Sequence, residues 1–564
     1  MSDKWKTVLE HSVLFPKEPK PNIENVVQQF SRNSMISMVI VLTNDYCNKH
    51  PSHLVRFFSN GMEFMDIVRR ISRNCNPNYD YIILLQQTIL QIFRKTIALP
   101  AVESNHNTPE VEMQLFKVIA DVNEYEMRTY NVPNEVVPMV FMQSLITYSS
   151  NVSKDLYKVR AELQTYSAFK FFEFIESEIS TNETLRKIYE AFLQRFGIEQ
   201  GIEYICSLWG MLAATDFRVG KMPKDLSNDL DKLITKSVLD AITLDYRCLV
   251  PDYATDDREN NVDYRVFRSK PIIHDEAGNY VIYWMEALID RLYNSLYFDF
   301  GEINKKLGLG YKRIRQLFTD EFIEKRLFRD LMSRTYDPTL YKARYNTKEE
   351  EGERADYVLT RDNVTIIFEC KDIKLVGEVL ETHDWNKIME EYRNKLRIET
   401  YRVNKKGERE YHDKPKPKGV GQLIKYMTQI REGDSYYECS PDNVVYPVLV
   451  LYDYKLLLRG FQQIADGWYE ERENKTENDK PLIVMSFITL IKSYPLFAKN
   501  GFAHYFEKYR SFISATSEPG DLRRYMTFDD YMQDYGESMD IVEIRDEFVN
   551  AMIRYYKQKK ALNI

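Results

Sequence analysis

The stretch Ala355–Leu375, "ADYVLTRDNVTIIFECKDIKL", sets an aspartate before one apolar run and a glutamate and a lysine, two residues apart, at the end of the next. Asp362 and Asn363 between the runs are turn residues that tolerate left-handed backbone, so the pattern predicts two strands joined there. In that register Arg361 faces Val364, Leu359 faces Ile366, Tyr357 faces Phe368 and Ala355 faces Cys370, giving one apolar face that can be buried. Asp356 then opposes Glu369, and Lys371 shares their face because strand side chains alternate. Opposed carboxylates repel unless a cation sits between them. Oxygen ligands suit Mg²⁺ or Mn²⁺ better than zinc. A lysine beside such an ion can orient or deprotonate a water, or neutralise charge on a phosphoryl transition state. The plain alternative is a solvated strand face, because a bare Glu-x-Lys carries little information and a one-residue slip would separate the three charges.

Outward from this hairpin, 564 residues are too many for one core and suggest about two to four domains. With 44% hydrophobic and 29% charged residues the chain has the composition of a folded globular protein. A net charge of −8 argues against a protein that coats nucleic acid nonspecifically, although it permits a local basic groove. The six cysteines are scattered with no CxxC pair or zinc-ligand spacing, as expected for free thiols in a reducing cytosol. No signal-peptide segment opens the sequence, and "MISMVIVLTNDYC" (Met35–Cys47) is too short to span a bilayer. The expectation is a soluble cytoplasmic protein without membrane partners. No Walker loop and no HExxH motif occurs.

Residues 1–250 show apolar spacing of three to four, as in "YDYIILLQQTILQIFRKTIAL" (Tyr79–Leu99) and "AFKFFEFIESEI" (Ala168–Ile179), and are expected to be all-helical. Residues 251–300 read as a connecting region: a polar linker, then a hairpin turning at Glu276–Asn279 and leading into a helix. From 301 to 515 strands alternate with helices, with "VVYPVLVLYDYKLLL" and "KPLIVMSFITLI" as buried strands, which implies a mixed sheet flanked by helices. Residues 516–564 form a helical tail. The fold class is therefore multidomain, α plus α/β.

Asp356 followed by Glu369-Cys370-Lys371 at the end of an apolar strand resembles the PD-(D/E)xK nuclease superfamily, the restriction-endonuclease-like fold. An acidic helix precedes the hairpin, "FTDEFIEKRLFRDLM", in which Glu324 matches the family better than Glu321. After it, "GVGQLIKYM" supplies Gln422 and Tyr426, similar to the Gln-xxx-Tyr element of RecB-like branches. Four apart on a helix, the two share a face. Ala355 and not a proline stands directly before Asp356, and an insertion separates Lys371 from Gln422.

The resemblance implies a Mg²⁺- or Mn²⁺-dependent nuclease acting on DNA rather than RNA. Asp356, Glu369 and the Cys370 carbonyl would hold the metal, Lys371 would act on the water or the transition state, and Glu324, Gln422 and Tyr426 would support metal or substrate. A helical module fused to such a domain suggests a bacterial antiviral or restriction-type effector that engages a protein partner through its N-terminal region and is compatible with a homo-oligomer. A noncatalytic scaffold that binds nucleic acid or protein is the competing class. The insertion around "YRVNKKGEREYHDKPKPKG" (Tyr401–Gly419) carries basic residues among tyrosines that could track a phosphate backbone, or could be a solvated loop. Lys312, Arg313 and Arg315 after a Gly-containing turn could open the second helix of a helix-turn-helix.

Overall fold

In a computed structural model of the chain, Asp362 adopts φ +53° and its flanking runs pair antiparallel in the expected register, Arg361 with Val364 through Tyr357 with Phe368. The structure describes residues 5–32, 34–36, 38, 61–76, 79–98, 108–128, 131–147, 154–214, 233–245, 265–274, 280–346, 353–375, 379, 384–403, 409–516, 521–536 and 542–561. The chain divides into two units, a sheet unit of residues 130–145 and 313–544 and a helical unit of residues 2–129, 146–312 and 545–564.

Seven strands occur among the described residues of the sheet unit: β1 (Lys342–Tyr345), β2 (Tyr357–Arg361), β3 (Val364–Lys371), β4 (Ile398–Val403), β5 (Arg409–Pro417), β6 (Val444–Leu451) and β7 (Ile483–Ser486). Five form a mixed sheet in the order β7-β6-β3-β2-β1, with β6 parallel to both β3 and β7 and the other pairs antiparallel. Val358, Leu359, Ile366, Ile367 and Phe368 are all buried, and each large apolar side chain contributes about 1.5–3 kcal/mol on burial. Both faces of β3 are thus covered, which explains its near-continuous apolar run. The face that carries the charges is interior and not a solvated strand face.

Two expectations change. The run "KPLIVMSFITLI" is strand only over Ile483–Ser486, and Phe487 begins a helix to Asn500. The insertion is not a loop but a two-stranded ribbon of β4 and β5, with a bulge between Tyr411 and Lys416; residues 404–408 of it lie outside the described set. The helix before the hairpin starts at Ile314, because Gly308 and Gly310 both take φ +62° after the helix Leu296–Lys306 ends. Its segment Leu317–Leu327 is π-helical and continues as α-helix over Phe328–Met332. Since the unit boundary falls between Lys312 and Arg313, the two helices of the helix-turn-helix reading belong to different units.

Asp529 ties the helix Phe528–Asp534 to the end of β7, accepting the Ser486 amide at 3.1 Å and the Ser486 hydroxyl. Burial pushes its carboxyl up to about 6 despite these donors. Its folded value is raised, so between about 3.8 and 6 the folded state holds a proton that the unfolded chain has lost, and stability falls as pH rises through that window. Asp529→Asn lacks this contribution. The Tm difference between wild type and Asp529→Asn should therefore shrink as pH rises from 4 to 6.5, and a constant or growing difference would contradict it.

The helical unit is built mainly of helices, including Gln86–Ala98, Pro109–Arg128, Lys154–Glu178, Glu183–Phe196 and Gly201–Ala214. It is not all-helical. Tyr79–Ile82, read above as part of a helix, is a strand parallel to Trp5–Val8, consistent with its β-branched and aromatic content. The hairpin Ile272–His274 with Tyr280–Ile282 is present, and Tyr283 just after it stacks on Phe93 at 4.5 Å in this unit's core. Its expected turn, Glu276–Asn279, and the linker at 251–264 lie outside the described residues.

Candidate active site

The β2–β3 ladder ends at Tyr357 with Phe368, one pair short of the expected opposition of Asp356 and Glu369. Asp356 instead sits in a bend before β2, and its Oδ2 accepts the Cys370 amide at 2.8 Å. The carboxylate replaces the ladder partner that this N–H would otherwise lack. Leaving the ladder also avoids placing two buried carboxylates directly across from each other.

Glu369 is 1% exposed, and neither of its carboxylate oxygens has a well-aligned hydrogen bond among the described residues. Lys371 Nζ lies 2.6 Å from Glu369 Oε1 and 3.7 Å from Glu324 Oε1. On the acidic helix, Glu324 and not Glu321 is thus the carboxylate within ion-pair range of Lys371. Burial raises the Glu369 carboxyl well above its ordinary value, with the Asp356 charge adding to it. Glu324 is pushed up to about 7, first by burial and then by Asp356, Asp320 and Asp372, against the opposing pull of Lys371. Asp356 is also raised by burial, moderated by Lys371 and by the Cys370 amide. Burial disfavours the Lys371 ammonium, yet Glu324, Glu369 and Asp356 outweigh it and hold the lysine well above its usual range. Three carboxylates around one ammonium give the cluster a formal charge of −2 (three negative, one positive) when all are ionised.

Gln422 and Tyr426 lie on one face of the helix Val420–Arg431, which packs on β3 and β6. Tyr426 is fully buried and accepts from Gln422 Nε2 at 3.3 Å. Burial, with the charges of Glu369 and Asp356, keeps its hydroxyl protonated. Gln422 is one step further out. Its Oε1 accepts the Gly419 amide at 2.9 Å and its Nε2 donates to Glu353 at 2.8 Å, while Lys425 reaches the other Glu353 oxygen at 2.9 Å. Cys370 is fully buried, and burial raises its thiol well above normal, so it is no nucleophile. An extended residue points its N–H and C=O to the same edge, so the Cys370 carbonyl faces the edge where Asp356 sits.

Glu353 and Asp372 belong to this neighbourhood without any signal from the sequence pattern. Asp372 directly follows Lys371, is buried, and has Lys374 at 3.7 Å and an Oδ1 without a hydrogen bond among the described residues. Its burial next to a motif could have been guessed only from the apolar run around it. His412, on the ribbon, lies 3.8 Å from Glu399, and His383 lies outside the described residues.

Among the described residues no three His, Cys, Asp or Glu side chains converge closely enough to cage a metal, and no helix is long and apolar enough to cross a membrane. No protein-family model matches the chain, and neither a curated protein nor a solved structure does.

Proposed function

We propose that the sheet unit is a restriction-endonuclease-like domain and that the chain is a metal-dependent nuclease acting on DNA. The observation that carries this reading is Glu369, a carboxylate removed from water, lacking aligned donors, and held between Lys371 and the charge of Asp356. One ammonium shared among three carboxylates leaves a net negative charge that a divalent cation would offset. Mg²⁺ or Mn²⁺ fits the donor set, because such ions are held by one or two carboxylates with the remaining positions taken by water and substrate oxygens. Asp356, Glu369 and the Cys370 carbonyl would hold the ion. Among the described residues no three such side chains converge as a closed zinc site needs, whereas Mg²⁺ or Mn²⁺ can fill its remaining positions with water.

A bound divalent ion would supply positive charge to the phosphodiester and acidify a water. Lys371, held protonated by its neighbours, donates to a water or a phosphoryl oxygen and does not act as a base. Glu324, at about 7, is the member of the set that can exchange a proton near neutral pH. Tyr426 keeps a protonated hydroxyl within the field of Glu369 and Asp356, and Gln422 donates to it. The site lies at the carboxyl ends of the parallel strands β3 and β6, where open α/β sheets place their ligands.

The test is incubation of the purified chain with linear and circular duplex DNA, single-stranded DNA and RNA, in Mg²⁺, Mn²⁺ or EDTA. Metal-dependent cleavage of DNA is expected. Absence of cleavage in every arm would favour the noncatalytic scaffold.

A further inference from the structure

Three arginines from three different elements gather on the Asp356 side of the sheet unit: Arg329 from the helix carrying Glu324, Arg344 from edge strand β1, and Arg354 two residues before Asp356. Each lies over a tyrosine ring. Arg329 is 4.6 Å from the Tyr345 centroid, while Arg344 and Arg354 approach Tyr436 at 4.3 and 5.1 Å. Two of the three are matched by carboxylates, Arg344 by Glu438 at 2.6 Å and Arg354 by Asp434.

Arg329 differs from both. Among the described residues it forms no ion pair with a carboxylate; its Nη2 donates to the Asn346 carbonyl, and its buried Nε has no acceptor. It is close enough to Asp356 to favour that group's charged form. Tyr345, 44% exposed, supports one face of the guanidinium. A guanidinium held on a ring and by one carbonyl has donors left without acceptors, and guanidinium donors suit phosphate oxygens. Stacking alone could serve the fold, but it does not account for a half-buried guanidinium that, among the described residues, forms no direct ion pair although it lies near Asp356, where an arginine that served only packing would be expected to take a carboxylate partner as Arg344 and Arg354 do.

We infer that Arg329, backed by Tyr345, is a phosphate-binding residue that receives a phosphodiester of the nucleic acid next to the Asp356–Glu369 centre. This assignment rests on the nuclease reading for the identity of its ligand. It was hidden from sequence because Glu324 and Arg329 are five positions apart, a spacing that points apart on a regular α-helix.

The experiment is fluorescence anisotropy of a labelled 20-base-pair DNA duplex in EDTA, which keeps the strand intact, across a range of salt concentrations. Arg329→Ala should weaken binding about tenfold, as expected for a lost charge-assisted contact, and make the dependence of log Kd on log salt shallower by about 1. Arg329→Lys, which keeps the charge and loses the fork, should fall between. Arg326→Ala, an exposed position on the same helix, controls for loss of one positive charge and should bind as wild type. Unchanged affinity and slope in Arg329→Ala, an equal loss in Arg326→Ala, or no binding by wild type would each overturn the inference. Cleavage by wild type with Arg329-independent binding would overturn this site alone. Arg329-dependent binding without cleavage would support the site and overturn the nuclease reading.

Discussion

Lys371→Ala is expected to reduce Mg²⁺-dependent DNA cleavage by about 10²–10³-fold or more, the range seen when one preorganised donor is removed from a transition state. The same substitution should also lower the Tm of the metal-free protein. It removes the ammonium that faces Glu324, Glu369 and Asp356, and breaking a buried pair by deleting one partner costs up to about 3–5 kcal/mol. The loss is limited because the carboxylates can respond by taking up protons, with Glu324 already at about 7. Circular dichroism should therefore show the same secondary structure with an earlier thermal transition. Cleavage retained at wild-type rate in Lys371→Ala would remove the lysine from the mechanism and, with it, the reading of the site.

The hairpin was legible because its two-residue turn and alternating pattern fix one register, and the structure has that register over five pairs. The two outer pairs expected, Asp356 with Glu369 and Ala355 with Cys370, are not in the ladder and were not legible. Whether Asp356 stays in the ladder depends on the energy of two buried carboxylates and on the need of the Cys370 amide for an acceptor, and neither appears in a strand pattern. The spacing of Gln422 and Tyr426 correctly put them on one helical face, but which of them meets the carboxylates depends on the packing of that helix against β3. The misreadings at Tyr79–Ile82 and Phe487–Asn500 have one cause. A short apolar run at a strand–helix junction fits both periods, and tertiary pairing, here with Trp5–Val8 and with β6, decides where one ends. The ribbon of β4 and β5 was obscured by Pro415 and Pro417, which an isolated two-stranded ribbon tolerates at edge positions without an inward amide.

Glu369→Gln separates function from stability in the direction opposite to Lys371→Ala. It should abolish cleavage, since the carboxylate is one of the two side chains that would hold the ion, yet leave the metal-free Tm unchanged or higher. The cluster's formal charge would drop from −2 to −1, and a desolvated carboxylate without aligned donors would be replaced by a neutral group of similar shape. Lys371 would keep Glu324 at 3.7 Å and the field of Asp356, so it would not be stranded. The response to metal should invert the ranking. Ligand that binds only the folded state stabilises by RT ln(1 + [L]/Kd), about 2.7 kcal/mol at a hundredfold excess over Kd, so Mg²⁺ or Mn²⁺ should raise the wild-type Tm and EDTA should reverse the rise. Glu369→Gln should show little or none of it. A wild-type Tm indifferent to both metals, or an equal rise in Glu369→Gln, would mean that the buried carboxylate is neutralised by Lys371 and protons alone, which is the arrangement expected of a scaffold and not of a metal-dependent enzyme.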